Sequence, residues 1–134
     1  MNLNASRDEK LKLVYDSIVD GLPFFPAYGL ELTYNDAQYD AAKASWEARN
    51  PGEGVCREDV WVEIVRNGGD LIFTDAENDD EEVGRLNLAN IDANWDKLWK
   101  LCPRAMAEYA SENYDANDTD NIIQCLAFGD VIYG

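Results

Sequence analysis

The sequence predicts an α+β fold, in which four to six helices pack around a small antiparallel sheet that contains a β-hairpin at about residues 70–88. Apolar residues recur at helical spacing in several segments, and two short β-type segments flank an acidic stretch. Hydrophobic residues make up 46% of the sequence, which is typical of a folded core and not of a disordered acidic tail. The length fits a single acidic globular domain over residues 1–134.

The N-terminal segment contains the clearest helix signal. Ser6 and Glu9 have the spacing of a capping box, so a helix is expected to begin there. Gly21 stands where a C-cap residue belongs. Residues 22–26 contain two prolines, which remove backbone donors and restrict their neighbours, so an α-helix cannot continue through them.

Two adjacent phenylalanines, Phe24 and Phe25, lie between these prolines. Because phenylalanine is commonly buried, we expect the pair to plug the core. The alternative is an exposed hydrophobic patch through which the chain contacts a partner.

The next hundred residues divide into elements at clear breaks. Residues 29–34 alternate apolar and polar side chains and predict a strand. Helices follow from Asn35 or Asp36 to about Arg49 and over 57–66. Residues 70–76 and 83–88 are expected to pair as a hairpin, and helices fill the remainder, the last of them capped by Asp118.

The charge of the chain limits its possible functions. Eleven basic and 27 acidic residues give a formal net charge of −16, and histidine is absent. Residues 1–50 carry a net −3 and residues 51–134 a net −13. Such a charge repels nucleic acid and anionic membranes and attracts cations or a basic protein surface. It also keeps a protein soluble, which is the alternative explanation for it.

No catalytic constellation emerges from the sequence. Without histidine there is no Cys–His pair and no Ser–His–Asp triad. Gly68 and Gly69 form an isolated pair and not a phosphate-binding loop. We therefore predict a protein that is not an enzyme, with no catalytic residues and no cofactor.

The acidic stretch from Asp75 to Glu82 could in principle hold Ca²⁺ or Mg²⁺, since both ions prefer oxygen ligands. An EF-hand loop that starts at Asp75 needs Gly at the sixth place and Glu at the twelfth, where Asp80 and Leu86 stand. The same test fails for a loop that starts at Asp115. We predict no metal site and only weak binding of divalent cations.

Other features favour a cytoplasmic protein. No apolar run approaches the roughly 20 residues of a membrane helix, and the first residues lack the pattern of a signal peptide. Cys56, Cys102 and Cys125 are odd in number and widely spaced, so a disulfide framework is not expected. The basic residues are scattered among more numerous acids, which disfavours direct binding of nucleic acid.

These exclusions leave protein binding as the leading hypothesis. Carboxylates can occupy the place of phosphates in the basic groove of a nucleic-acid-binding protein, where steering favours association. We expect acids of the C-terminal part to form one exposed face, and its predicted members are Asp75, Glu77, Asp79, Asp80, Glu81, Glu82, Glu108, Glu112, Asp115, Asp118 and Asp120.

The chain resembles small acidic proteins encoded by phages and prophages, the DNA mimics and inhibitors of host defence, in its size, its charge and its lack of a catalytic site. The closing stretch, from Asp118 to Asp120 and from Phe128 to Gly134, contributes to this resemblance. The resemblance implies a basic partner protein but supplies no functional residues. The alternative is an acidic structural or assembly domain that self-associates through apolar surface at Phe24, Phe25 or the C-terminus.

Overall fold

The computed structural model describes residues 5–134 and has the predicted α+β architecture. Its strands are β1 (Leu30–Thr33), β2 (Leu71–Asp75) and β3 (Glu81–Leu86). Its helices are α1 (Arg7–Gly21), α2 (Asp36–Arg49), α3 (Arg57–Arg66), α4 (Leu88–Asn94), α5 (Leu98–Leu101), α6 (Pro103–Ala110) and α7 (Ala116–Phe128), with 3-10 segments at Leu22–Tyr28 and Trp95–Lys97. Because α4, the second 3-10 segment and α5 follow one another directly, they form one interrupted helix, which leaves six helices among the described residues.

The three strands form one antiparallel sheet in the order β1-β2-β3. Phe73 lies opposite Leu32 on one side and Gly84 on the other, and a register shift follows it in the β2–β3 pair. The predicted hairpin is therefore confirmed, but its second strand runs over Glu81–Leu86 and not 83–88, because Asn87 caps helix α4. Gly84 allows α7 to lie directly on β3, since a Cβ atom at this position would stand 2.2 Å from the Phe128 ring.

Helix α1 begins as its sequence predicts. Ser6 Oγ accepts a hydrogen bond from the Glu9 N–H at 3.2 Å, and Glu9 Oε1 accepts one from the Ser6 N–H at 3.1 Å. Its end differs from the prediction, because Gly21 stays right-handed and the chain passes into the 3-10 segment Leu22–Tyr28. Gly21 instead permits close packing, since a Cβ there would lie 2.6 Å from the Asp120 nitrogen in α7.

The core lies between the sheet and the helices, with α7 packed against α1, α6 and β3. Phe25 is buried and its ring centroid lies 5.1 Å from that of Phe73, so it plugs the core as predicted, while Phe24 is half-buried. The largest fully buried side chains are those of Leu11, Leu13, Ile18, Leu30, Ile64, Leu71, Phe73, Leu86, Ile91, Trp95, Leu98 and Met106.

Helix α7 begins three residues earlier than predicted. Asp115, not Asp118, is the N-cap, and its Oδ1 accepts from the Asp118 N–H at 2.9 Å. Asp118 returns the contact by accepting from the Asp115 N–H at 3.1 Å. Aspartate fits either place in a capping box, so the sequence leaves the boundary ambiguous.

The C-terminal residues dock onto the body of the protein. Gln124 Oε1 accepts hydrogen bonds from the backbone of Ile132 and Tyr133, and the Tyr133 ring stacks on Tyr28 at 5.2 Å between centroids. All three cysteines are free thiols, with Cys56 exposed and the other two buried. Among residues 5–134, none of the helices combines the length and the apolar character needed to cross a bilayer.

Candidate functional site

The predicted acidic residues fall into three structural settings. The first is the hairpin tip between β2 and β3, where Asp75 is half-buried and the following acids are exposed. The second is the end of α6 and the start of α7, which carries Glu108, Glu112 and Asp115. The third is the interior, which holds Asp118 and Asp120.

The hairpin tip consists of two successive tight turns. The Asn78 N–H donates to the Asp75 carbonyl at 3.1 Å, and the Glu81 N–H donates to the Asn78 carbonyl at 3.2 Å. The central residues of the second turn, Asp79 and Asp80, have φ of 56° and 54°, the left-handed pair that defines a type I′ turn. Asn-Gly and Asp-Gly are the preferred pairs at these two places, so Asp79 is a common residue here and Asp80 stands where glycine is usual.

Arg85 is the basic side chain that pairs with the tip, and it contacts Glu82. Arg85 donates to both carboxylate oxygens of Glu82, at 2.7 and 2.8 Å. This hydrogen bonding and the positive charge hold the pKa of the Glu82 carboxyl below its usual value. Among the described residues, no basic side chain pairs with the other acids of the tip.

The prediction of an exposed face is wrong for two of its members, which are buried. Asp118 and Asp120 are 6% and 4% exposed, because Asp120 packs against the end of α1 and Asp118 lies beside Cys102 and the start of α6. Asp120 accepts hydrogen bonds from the Tyr28 hydroxyl at 2.5 Å and from the Gln124 amide at 3.0 Å. Burial raises the pKa of the Asp120 carboxyl above its usual value, although these two hydrogen bonds act in the opposite direction.

Glu112 occupies an unusual backbone position at the end of α6. The Glu112 N–H donates to the Tyr109 carbonyl at 3.1 Å, and the Asn113 N–H donates to the Glu108 carbonyl at 2.9 Å. This pair of bonds defines a Schellman motif, whose left-handed residue is usually glycine. Here the residue is Glu112, with φ of 61°, and its side chain is exposed.

Glu112 lies on the rim of an acidic cleft of about 570 Å³ between α1 and the α6–α7 connection. We call this feature the tyrosine cleft, because the rings of Tyr109 and Tyr114 lie 5.1 Å apart in its wall. The charged residues that line it are Glu9, Lys12, Asp16, Asp20 and Glu112.

Hydrogen bonds fix one carboxylate of the tyrosine cleft. Asp16 Oδ2 accepts from the Tyr109 hydroxyl at 2.7 Å and from Lys12 Nζ at 2.8 Å. Burial, and to a smaller extent the nearby charges of Asp16 and Asp20, raise the pKa of the Tyr114 hydroxyl. Asp20 and Glu112 form no ion pair within residues 5–134, and they remain available to a cation from outside.

The sequence prediction included Glu112 but missed the partners that α1 contributes. Lys12, Asp16 and Asp20 recur every four residues, which identifies the polar stripe of an amphipathic helix. That stripe was visible in the sequence. Its position opposite Tyr109 and Tyr114 depends on how α1 packs against α7, and no local pattern encodes it.

Across the described residues, acids greatly exceed their basic partners. Seven of the 27 acidic side chains have a basic nitrogen within 4.0 Å. One of these seven, Glu63, is buried beside Arg49 and Arg66. The exposed carboxylates among the remainder depend on water and salt for their neutralisation.

Within residues 5–134, the acidic side chains and cysteines form no group of three or more that could hold a metal ion. The weak binding of divalent cations stays a prediction, since titration with Ca²⁺ and Mg²⁺ is the direct measurement. Comparison with protein-family models, curated proteins and solved structures finds no match to this chain.

Proposed function

We propose that this chain is a non-enzymatic, acidic protein-binding module that occupies a basic surface of a partner protein. The observation that carries the proposal is the excess of carboxylates without basic partners, which includes those at the hairpin tip and around the tyrosine cleft. The grooves of nucleic-acid-binding proteins carry the complementary charge, because they neutralise phosphates with lysine and arginine. A phage-encoded inhibitor of host defence is the biological role that this chemistry favours.

Backbone conformation supports the proposal. The non-glycine residues with positive φ in residues 5–134 are Asp79, Asp80 and Glu112, and all three are acidic. A left-handed conformation costs an ordinary residue roughly 1–2 kcal/mol, and glycine avoids that cost. Aspartate adopts this conformation more readily than most residues, but Glu112 bears the cost. A carboxylate at that strained position supports a use for its negative charge.

The tyrosine cleft gives the proposal a specific contact. A lysine or arginine side chain of the partner would enter between Asp20 and Glu112 and lie against the ring of Tyr114. Cation–π attraction adds about 0.5–1 kcal/mol at an exposed site, and more where water is excluded. Tyr109 and Lys12 hold Asp16 in place, so the wall of the cleft is ordered before binding.

Self-association through apolar surface is the alternative role. Phe25 is buried in the core and does not contribute to such a surface. Phe24 is half-buried, and Ile132 is exposed at the C-terminus. These side chains are separate from the carboxylates that carry the proposal, so the two roles respond differently to salt.

Affinity capture from a bacterial lysate tests the proposal. The bait protein is compared at about 50 mM and about 500 mM salt, because screening shortens electrostatic range over this interval. The expected result is a basic, nucleic-acid-binding protein that is captured at low salt and released at high salt. Capture that does not change with salt would contradict the proposal and favour an apolar interface.

Charge reversal locates the contact. Asp20→Lys with Glu112→Lys reverses the two free acids of the tyrosine cleft, and we expect at least tenfold weaker binding of the captured partner. Asp40→Lys with Glu47→Lys is the matched control, since both residues are exposed on α2 and unpaired within the described chain. Equal losses in the two variants would show that total charge, and not the cleft, determines binding.

A further inference from the structure

A second, chemically different depression lies beside strand β1. It is a groove of about 740 Å³ between the C-terminal end of α1, the first 3-10 segment, β1 and the start of α3. Its lining is largely apolar, and Val19 at its wall is 44% exposed. The other apolar side chains that line it include Leu22, Pro23, Pro26, Leu32 and Trp61.

Strand β1 presents an unpaired edge to this groove. It pairs with β2 on one side, and the Gly29 carbonyl accepts from the Ala76 N–H at 2.9 Å. Hydrogen-bonded pairs alternate along an antiparallel ladder, so the backbone groups of Leu30 and Leu32 point away from β2. Among the described residues, no backbone hydrogen bond reaches Leu30 or Leu32 from that side. Leu30 is covered by its neighbours, whereas Leu32 is accessible.

The charges around the groove have one predominant sign. Glu31 is exposed on β1, and the Glu77 carboxylate lies beside Gly29, 3.3 Å from the place of a Cβ on that residue. Arg57 is the one basic residue in the lining, and it is paired with Glu58 at 3.1 Å and placed over the Trp61 ring. Glu31 and Glu77 therefore remain without a basic partner among the described residues.

We propose that this groove binds an extended, basic segment of a partner protein, which adds to the edge of β1 by pairing with the accessible backbone groups of Leu32. Alternate side chains of an added strand point to opposite faces. The side chains of the added strand that lie on the side of Leu32 would be apolar and would fill the groove beside Val19 and Trp61. The side chains on the opposite side would be lysine or arginine and would pair across the strand with the Glu31 carboxylate.

This inference rests on the proposed function for the sign of the partner's charge, but it concerns a different surface. The tyrosine cleft binds a single cationic side chain, whereas the groove binds backbone and apolar side chains together. Salt weakens the first contact steeply and the second only in part, since apolar burial and backbone hydrogen bonds persist at high salt.

The test uses a defined probe and the full-length protein. The probe is a fluorescent seven-residue peptide in which lysine and valine alternate, and its Kd is measured by anisotropy. A second peptide of the same sequence carries N-methyl groups on alternate backbone nitrogens, so its charge is kept while strand pairing is blocked. We expect the N-methylated peptide to bind at least tenfold more weakly.

Two variants separate the groove from general charge attraction. Val19→Arg places a cation and a bulky side chain in the groove, and we expect it to weaken binding of the unmodified peptide at least tenfold. Leu101→Arg is the matched control, since Leu101 is 42% exposed outside the groove and the charge change is the same. Circular dichroism verifies that both variants are folded.

Each outcome decides one point. Equal binding of both peptides, or equal effects of the two variants, would overturn the groove assignment. The proposed function would then still be judged by the capture experiment with the tyrosine-cleft variants. Concentration-dependent dimerisation in sedimentation velocity that Val19→Arg abolishes would assign the groove to a second copy of this chain and would also overturn the proposal.

Discussion

At the scale of single residues, the chain keeps acids where other side chains would fold more favourably. Glu112 has the left-handed conformation of a helix C-cap, and Asp120 is buried without a basic partner in the described chain. Each case gives a stability effect whose sign follows from the structure. The effect of Asp120 is separable from binding, because its side chain is interior, whereas Glu112 is exposed at the proposed contact.

Replacing Glu112 by glycine is expected to stabilise the fold by about 1 kcal/mol, because glycine adopts positive φ without steric cost. Urea denaturation measures the change. Glu108→Gly is the control, since Glu108 lies within α6, where glycine should destabilise by roughly 0.5–1 kcal/mol. The same Glu112→Gly substitution should weaken partner binding, which would connect the strain to function. A stability loss in Glu112→Gly would show that the carboxylate contributes more to the fold than its conformation costs.

The buried Asp120 is expected to make stability depend on pH. Its folded pKa lies above the ordinary value of 3.8, so the folded protein binds the proton more tightly than the unfolded chain does. The stabilisation is complete below pH 3.8 and is lost as the pH rises through the raised pKa of the folded state. Asp120→Asn keeps the size and loses the charge, so its stability relative to the original protein should increase over this range. A difference between the two proteins that is constant with pH would contradict the assignment.

At the scale of elements, the packing of α1 on α7 depends on one missing side chain. Gly21→Ala would place a Cβ 2.6 Å from a backbone nitrogen of α7, and backbone cannot rotate away as a side chain can. Overpacking of this kind costs typically 1–3 kcal/mol, and we expect a loss in that range by urea denaturation. Gly54→Ala is the control, because nothing lies within 4 Å of its added methyl group and its φ is not positive. Equal effects of the two substitutions would show that the helices can separate without cost.

The elements that the sequence predicted well are those with local signals. The capping box of Ser6, the limits of α2 and α3 and the hairpin around Asp75 each follow from neighbouring residues. The errors occur where the decisive contact is distant in sequence. Gly21 has the appearance of a C-cap, but its role is set by α7, about one hundred residues later. Asp120 has the appearance of a surface acid until Tyr28 and α1 cover it.

At the scale of the whole molecule, composition predicted the excess of negative charge but not its arrangement. Glu112 is brought beside Asp16 and Asp20 by the fold, and the hairpin tip is displayed by its turns. The sequence alone thus identifies Glu112 as a member of the candidate site. The proximity of Asp16 and Asp20 to it is a consequence of tertiary packing. The same distribution of charge has a consequence for stability that extends beyond any single site.

A net charge of −16, with seven acids paired within residues 5–134, should make the fold more stable in salt. Long-range repulsion between unpaired carboxylates is screened at ionic strengths that leave contacts near 3 Å largely intact, so the melting temperature should rise with added sodium chloride. The triple variant Asp79→Asn, Asp80→Asn and Glu81→Gln removes three negative charges at the tip, where asparagine suits the turn. Its melting temperature should rise less with salt. The opposite control, Lys43→Gln, Lys100→Gln and Arg104→Gln, removes unpaired bases and should make the rise steeper. A melting temperature that falls with salt would show that local ion pairs, and not net repulsion, dominate the electrostatics of this fold.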